Sequence, residues 1–364
     1  MINNIRIKNY KSLKNFEMNL LPLNVFIGPN NTGKSNILSA FSFFQKVISI
    51  SPWYQPWKDA GFNRIMHGFE DIGEISFGFN FSIKNSESDD LFEYNIAFQK
   101  TEDAIKIKSE HLSQNNIILI DVNYGTGFYL NNKKEKVNVG IDAIVLSFLQ
   151  TLRTEKLFHE IYKYINDWLF SNVVPSIIIK EISEPETDYL MKYDGTNFDC
   201  VLDSISRMNV KAFTKITDFL KISFKEFDNL QFSIYNKILY LWWVEKPFDH
   251  MVSKSSLSDG VIKILQLLAL IYNPVNPYLI AIEEPENYIH PGLLQRFAEE
   301  IRELSKRSQI LITTHSPVLV EFMPEESLIM VDKEEGATVW QRFSSEKEEI
   351  GEYKGRILKG LWGR

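Results

Sequence analysis

Residues 28 to 35 read Gly28-Pro29-Asn30-Asn31-Thr32-Gly33-Lys34-Ser35. The octet follows the apolar run 23–27 and precedes a stretch where Ile37, Leu38, Phe41, Phe44 and Ile48 recur at three- and four-residue steps. G-x-x-x-x-G-K-S between a strand and a helix leaves the backbone few options, because the loop must curl until its N–H groups converge. Glycine at both positions removes the Cβ atoms that would block the curl. Lys34 then offers a cation to the β- and γ-phosphates, Ser35 a hydroxyl to Mg²⁺, and the helix start a favourable dipole. The octet predicts a nucleoside triphosphate site on Gly28, Asn30, Asn31, Thr32, Gly33, Lys34, Ser35 and Asn36, with Mg²⁺ beside it.

A chain of 364 residues suits two domains, or one large domain with an insertion. Residues 2–8 read as a strand, then a turn-prone stretch leads to the strand 23–27, and 35–47 has helix period. The segment SPWYQPWKDAGFNRIMHG reads as a loop, and Trp53-Tyr54-Gln55-Pro56-Trp57 within it as a lid on its own core or a docking surface. From Gly73 to Leu130 apolar and polar residues alternate, which predicts an antiparallel meander. Residues 141–170 and 198–222 are helical in period, with a strand in VVPSIIIKEI between them. The last third alternates helix 259–272, strand 278–282, helix 291–306 and strands 309–313 and 327–331, the pattern of a parallel sheet covered on both faces. The charged tail 345–364 reads as a solvated terminal helix.

Composition removes several classes. The single cysteine, Cys200, excludes a disulfide framework and a multi-cysteine zinc site. Six histidines lack HxxxH spacing. The apolar stretch Ile264 to Tyr272, interrupted by Gln266, falls well below the ~20 residues of a membrane span, and the first residues lack a signal-peptide core. With 40 basic against 47 acidic residues the net charge is −7, which disfavours a protein coated in nucleic acid. The expectation is a soluble cytoplasmic protein with no membrane partner.

The strand YLIAI runs into Glu283-Glu284-Pro285-Glu286. A carboxylate at such a strand end can hold Mg²⁺, and its neighbour can position the attacking water; Glu283 is assigned the first task and Glu284 the second. The next strand closes on Thr313-Thr314-His315-Ser316-Pro317, where His315 can donate a hydrogen bond to a γ-phosphate. Lys34, Glu284 and His315 form the expected catalytic set. Ser256-Leu257-Ser258-Asp259-Gly260 opens an apolar helix with Ser258 as N-cap, making Ser258 and Gly260 phosphate-contact candidates.

IRIKNYKSL followed by FIGPNNTGKSNIL, then LSDG, EEPE and THSP in that order, resemble the ABC-type ATPase heads of the SMC, RecF and OLD group, in particular small bacterial stand-alone OLD-like AAA-family ATPases. The resemblance covers residues 1–50 and 235–330. It implies an α/β fold: an ABC-ATPase-type P-loop sheet with an antiparallel β subdomain and a helical lobe carrying the signature motif. The expected domains are an ATPase core of 1–140 and 235–364, with 141–234 a helical insertion. It also implies ATP and Mg²⁺ as cofactors and a homodimer with ATP at its interface. Gly28–Ser35, Glu283, Glu284 and His315 of one protomer would face Ser258 and Gly260 of the other. Lys11 matches a basic position near the nucleotide, and Gln45 and Gln99 are candidates for the glutamine that couples the two lobes. Two departures bear on hydrolysis rate: Asp259 stands where the signature has glycine, and Glu283 replaces the commoner aspartate.

The resemblance implies an ATP-driven dimer switch that assembles or regulates an effector, a nuclease or toxin, in the manner of anti-phage defence ATPases. About 50 residues follow His315 without an acidic DxD cluster, so a nuclease is expected from a partner rather than a further domain. The alternative is a RecF-like repair ATPase acting on duplex DNA, with Lys133, Lys134, Lys136, Lys354, Arg356, Lys359 and Arg364 as phosphate contacts. A transporter motor is disfavoured by the missing SALD segment and the long insertion between Lys34 and Ser258.

Overall fold

The structure, a computed structural model, describes residues 1–69, 73–84, 89–101, 104–172, 191–273, 275 and 277–343. The chain forms two compact units: Met1–Trp168 together with the segment from Glu325, and Leu169–Pro324. The strand expected in VVPSIIIKEI and the helix expected over 345–364 fall outside the described residues.

The first unit opens with β1 (Ile2–Tyr10), β2 (Leu13–Asn19) and β3 (Leu23–Ile27), then β4 (Gly73–Lys84), β5 (Asp89–Lys100), β6 (Ile105–Gln114), β7 (Ile117–Asn123), β8 (Thr126–Leu130) and β9 (Lys136–Gly140). Eight of these make an antiparallel sheet in the order β2-β1-β4-β5-β6-β7-β8-β9, the predicted meander extended at both ends. The turn-prone reading of residues 9–22 missed β2. There Asn9 and Lys11 take left-handed φ of 57° and 50°, and the chain folds back so that Tyr10 pairs with Leu13. Leu13, Phe16 and Met18 are the buried members of an otherwise exposed, polar strand, so its alternation is sparse.

The helix Lys34–Ser49 buries Ile37, Leu38, Phe41, Phe44, Val47 and Ile48, the face its periodicity predicts. Phe44 lies 4.4 Å from Phe79 of β4 between ring centroids, and Phe41 meets the same ring at 5.5 Å. Such a site gives Phe44→Ala a cost of about 3–5 kcal/mol. Trp57 is fully buried against Phe43 and Phe98, and Trp53 stacks on Phe98; the aromatic loop covers its own core. Part of it is helical, Gln55–Ala60 and Phe62–Ile65.

In the second unit, β10 (Leu169–Ser171) starts a parallel set. β11 (Phe227–Tyr235), β12 (Ile238–Glu245) and β13 (His250–Ser253) form an antiparallel three-stranded sheet, and β14 (Leu279–Glu283) and β15 (Gln309–Thr314) complete the parallel set with β10. Ile280 pairs with Ile310 and Glu283 with Thr313, a register that brings both motif-bearing strand ends level. The helices Asp259–Ile271 and Pro291–Leu304 lie before and after β14. The helical stretch 198–222 is two helices, Phe198–Met208 and Val210–Ser223. Asn209 separates them at ψ 76°, its side chain accepting from the Ala212 N–H as the second helix's N-cap.

The chain returns to the first unit with β16 (Leu328–Glu334), parallel to β3, and β17 (Ala337–Arg342), antiparallel to β16. β17 carried no periodic signal strong enough to be read from sequence.

Candidate nucleotide and hydrolysis site

The predicted site residues fall into two groups, one in each unit. In the first unit the loop after β3 has Gly28 at φ 155°, Asn31 at 67° and Gly33 at 106°. The last two are left-handed, tolerable for asparagine and easy for glycine. A Cβ on Gly28 would lie 2.1 Å from the Val331 carbonyl oxygen, and one on Gly33 would lie 2.0 Å from Thr338 Oγ1 and 2.7 Å from Ser12 Oγ. Both glycines of the motif are therefore required by space as well as by backbone.

Helix Lys34–Ser49 begins at Gly33 with no side-chain cap and no acid in its first turn. Its leading N–H groups and positive dipole end are the elements of an anion site. Ser35 is exposed at this end. Lys34 is 4% exposed, and its ammonium donates to the carbonyls of Gly28 and Pro29, each at 2.8 Å. Thr32 Oγ1 also donates to the Pro29 carbonyl at 3.0 Å. The loop is thus preformed, with its cation folded onto its own carbonyl oxygens.

A brace not legible in the sequence holds this loop. Thr338 of β17 donates through Oγ1 to the Thr32 carbonyl at 2.9 Å, and shares a 2.7 Å hydrogen bond with Ser12 Oγ. Asn36 Nδ2 donates to the same Ser12 oxygen at 2.7 Å. Lys11 Nζ reaches Ser39 Oγ at 2.7 Å, one turn beyond Ser35. The two candidate coupling glutamines have structural tasks. Gln45 Nε2 donates to the carbonyls of Ile165, Asn166 and Trp168, closing the end of the helix Lys156–Asn166. Gln99 Nε2 donates to the Gly73 carbonyl across the meander.

In the second unit β14 ends at Glu283, whose Oε2 accepts from Asn172 Nδ2 at 3.1 Å. Glu284 turns the chain at a left-handed φ of 41°, and its N–H bonds the Thr313 carbonyl at 2.9 Å. Its Oε1 lies 3.3 Å from His315 Nε2, and its Oε2 accepts from Asn287 Nδ2 at 2.7 Å. The expected water-positioning acid and switch histidine are therefore neighbours, both partly exposed.

The signature segment sits in the same unit. Ser258 caps the helix Asp259–Ile271 by accepting from the Val261 N–H at 3.4 Å. A Cβ on Gly260 would come within 2.7 Å of the Tyr288 carbonyl, so glycine lets this helix start approach the loop that follows Glu284. Lys263, one turn further, is 2% exposed. Burial pulls its ammonium down to about 8, although Glu286 and Glu284 favour its charge.

Among the described residues no cluster of three or more His, Cys, Asp or Glu could hold a metal by itself. Mg²⁺ keeps waters and phosphate oxygens in its shell and asks for one or two protein oxygens, so the lack of such a cluster does not argue against it. No described helix is long and apolar enough to cross a membrane.

Comparison with known proteins agrees with this architecture. Residues 1–194 match the family model described as AAA ATPase domain. Residues 151–321 match an AAA domain model whose description names the AbiEii toxin and a type IV TA system. Over 95% of its length the chain is 22% identical to the Old nuclease of Escherichia phage P2, of which it spans 61%. It is also 22% identical, over 89% of its length, to the ATP/GTP phosphatase of Helicobacter pylori, spanning 88% of that protein. Among solved structures, an Smc head bound to the C-winged helix domain of ScpA aligns with TM-score 0.57 at 14% identity, covering 96% of this chain and 99% of that one. The Smc head with an extended coiled coil, bound to the C-terminal domain of ScpA derived from Pyrococcus furiosus, aligns with TM-score 0.52 at 14% identity, covering 99% of each. The fold is that of an ABC-type ATPase head.

Proposed function

This chain belongs to the AAA ATPase domain family, and on that premise we propose that it binds ATP on the Gly28–Ser35 loop, hydrolyses it slowly and uses the cycle to regulate a partner effector. The preformed phosphate loop carries this reading: two glycines that admit no Cβ, an uncapped helix start and the folded-back Lys34.

On binding, Lys34 exchanges two loop carbonyls for phosphate oxygens, a charged hydrogen-bond set in place of a neutral one. The helix N–H groups take the remaining phosphate charge. Glu284 orients a water and accepts its proton as oxygen attacks the γ-phosphorus and the bridging oxygen departs with ADP. His315 donates to the γ-phosphate, and its contact with Glu284 keeps the two side chains in one arrangement. Ser35 and Glu283 would hold Mg²⁺, which neutralises phosphate charge when bound.

The ATP-bound form is a homodimer in which Ser258 and Gly260 of the second protomer complete the phosphate contacts, and higher assembly is built on that dimer. The support is the resemblance of the four motifs to ABC-type heads. The effector is a nuclease or toxin; the likeness to the Old nuclease, of whose length the chain spans about three fifths, supports a nuclease link, and the motif resemblance to anti-phage defence ATPases supports an anti-phage role. Likeness to an ATP/GTP phosphatase supports hydrolysis.

Steady-state ATP hydrolysis, with and without linear duplex DNA at near-physiological salt, tests the reading. A low, Mg²⁺-dependent rate that ignores DNA is the expected result. Absence of ATP binding ends the ATPase reading. Stimulation of about tenfold or more, at a salt where non-specific binding is weak, moves the assignment to DNA processing.

A further inference from the structure

Glu286, third acid of the strand-end motif, has no task in the hydrolysis scheme above, yet it makes the densest set of hydrogen bonds there. Its Oε1 accepts from three donors of the next strand's exit: Thr314 Oγ1 at 2.6 Å, the His315 N–H at 2.9 Å and the Ser316 N–H at 3.2 Å. Thr314 Oγ1 in turn accepts from the Ser316 N–H at 3.0 Å, and Ser316 Oγ caps the following helix through the Leu319 N–H at 3.1 Å. The other carboxylate oxygen, Oε2, is covered and accepts no hydrogen bond from another described residue. Three consecutive residues centred on His315 are thus tied to one atom.

The other side of the histidine contact is fixed independently. Glu284 is held by its left-handed backbone, by its N–H on the Thr313 carbonyl and by Asn287 on Oε2. His315 Nε2 can stay 3.3 Å from Glu284 Oε1 only if the histidine's backbone is held too, and Glu286 supplies the hydrogen bonds that hold it. An anion suits this task, because bonds to an ionised acceptor are roughly twice as strong as neutral ones and one oxygen must serve three donors. Burial pushes the Glu286 carboxyl above its ordinary value and Glu284 adds an unfavourable charge, while the bonds from Thr314 and His315 pull it back down and Lys263, from the helix Asp259–Ile271, adds a favourable charge.

We propose that Glu286 is a positioning residue: its carboxylate clamps the Thr314–Ser316 loop so that the His315 ring faces Glu284. The kinetic part of this inference rests on the ATPase reading; the geometric part stands without it.

The test combines Glu286→Ala, Glu286→Gln, His315→Ala and the double variant Glu286→Ala/His315→Ala. Glu286→Ala should lower kcat about 10- to 100-fold, the range of a lost charged hydrogen-bond set, with KM changed less than about threefold. Glu286→Gln keeps the accepting oxygen and should restore kcat to within about fivefold of the parent. Placed in the His315→Ala background, Glu286→Ala should cost less than about twofold more, since a residue acting through the histidine has nothing left to position. Independently of turnover, the His315 ring signal in NMR should move in Glu286→Ala toward that of a solvent-exposed histidine. Multiplicative losses in the double variant, or an unmoved His315 signal, overturn the proposal. Thr314→Val removes one of the three donors and should shift the same signal less, so the clamp stays testable if Glu286→Ala does not fold. If the parent protein turns over no ATP, the ATPase reading fails, while the His315 signal still decides the clamp.

Discussion

Glu284 Oε1 and His315 Nε2 stand 3.3 Å apart at the ends of adjacent parallel strands. The contact joins an acid suited to take a proton from water with an imidazole suited to donate to phosphate. Its consequence is that the two groups cannot be changed independently.

Replacing Glu284 with glutamine keeps the size and the Asn287 contact but removes the base. Hydrolysis should fall by about 100-fold or more, the usual worth of a positioned base, while ATP affinity stays within a few fold. Size-exclusion chromatography at saturating ATP should then show a dimer that persists, because the state favoured by ATP is no longer reset. A monomer under those conditions sinks the dimer-switch reading.

Lys34→Ala and Gly33→Ala separate ligand chemistry from loop shape. The first removes a cation and should weaken ATP binding about 10- to 100-fold, the equivalent of roughly 1.5–3 kcal/mol for a charged hydrogen-bond set, with a smaller fall in melting temperature than the second. The second pushes a Cβ to 2.0 Å from Thr338 Oγ1 at a φ of 106°, and should cost stability as well, on the order of 1–3 kcal/mol. Calorimetric titration with ATP and thermal melts in parallel distinguish the two. Equal melting temperatures for both variants would contradict the steric account.

Thr338→Val removes the hydroxyl that bonds the Thr32 carbonyl and Ser12 while keeping the shape. A loss of about 1–2 kcal/mol in chemical denaturation is expected, together with weaker nucleotide binding. A variant that loses stability but binds ATP as the parent does would show that the brace does not shape the loop.

The pH dependence of the first unit should carry the signature of Glu110. Its carboxyl is pushed up to about 7 by burial, against bonds from the Leu146 and Val145 N–H groups and the Tyr94 hydroxyl that pull it down. Its ordinary value is 4.5. Between those values the folded chain keeps a proton that the unfolded chain has released, so stability declines as pH rises through the window and levels off above it. Measured against Glu110→Gln, the parent should lose about 3 kcal/mol from pH 4.5 to 7. A flat difference across that range would mean that the carboxyl does not titrate there.

What could be read from sequence was whatever is local. Gly28 to Ser35, the helix face Ile37–Phe44 and the N-cap Ser258 are patterns within a few residues, and each stands where its spacing put it. The Glu283–Glu284 and Thr313–His315 segments were legible as strand ends, and parallel pairing of Glu283 with Thr313 explains why two motifs 30 residues apart in sequence belong to one cluster. Glu286 was printed in the same motif, but its task depends on donors from another strand. Glu110 was one polar residue in an alternating strand, and nothing near it announced the N–H groups of Val145 and Leu146. β2 was lost because Lys14, Asn15, Glu17 and Asn19 outnumber the buried Leu13, Phe16 and Met18. Gln45 looked free for a lobe-coupling role because the helix end it closes lies 120 residues away.

The hydroxyl of Thr338 meets the Thr32 carbonyl across 306 residues of chain. At a synthesis rate of 5–20 residues per second, roughly 15–60 s separate the emergence of the loop from that of its brace. The whole second unit leaves the ribosome in the meantime. The loop's final shape therefore waits for Thr338, and a polypeptide that stops short of it carries the right octet without the geometry that makes it useful.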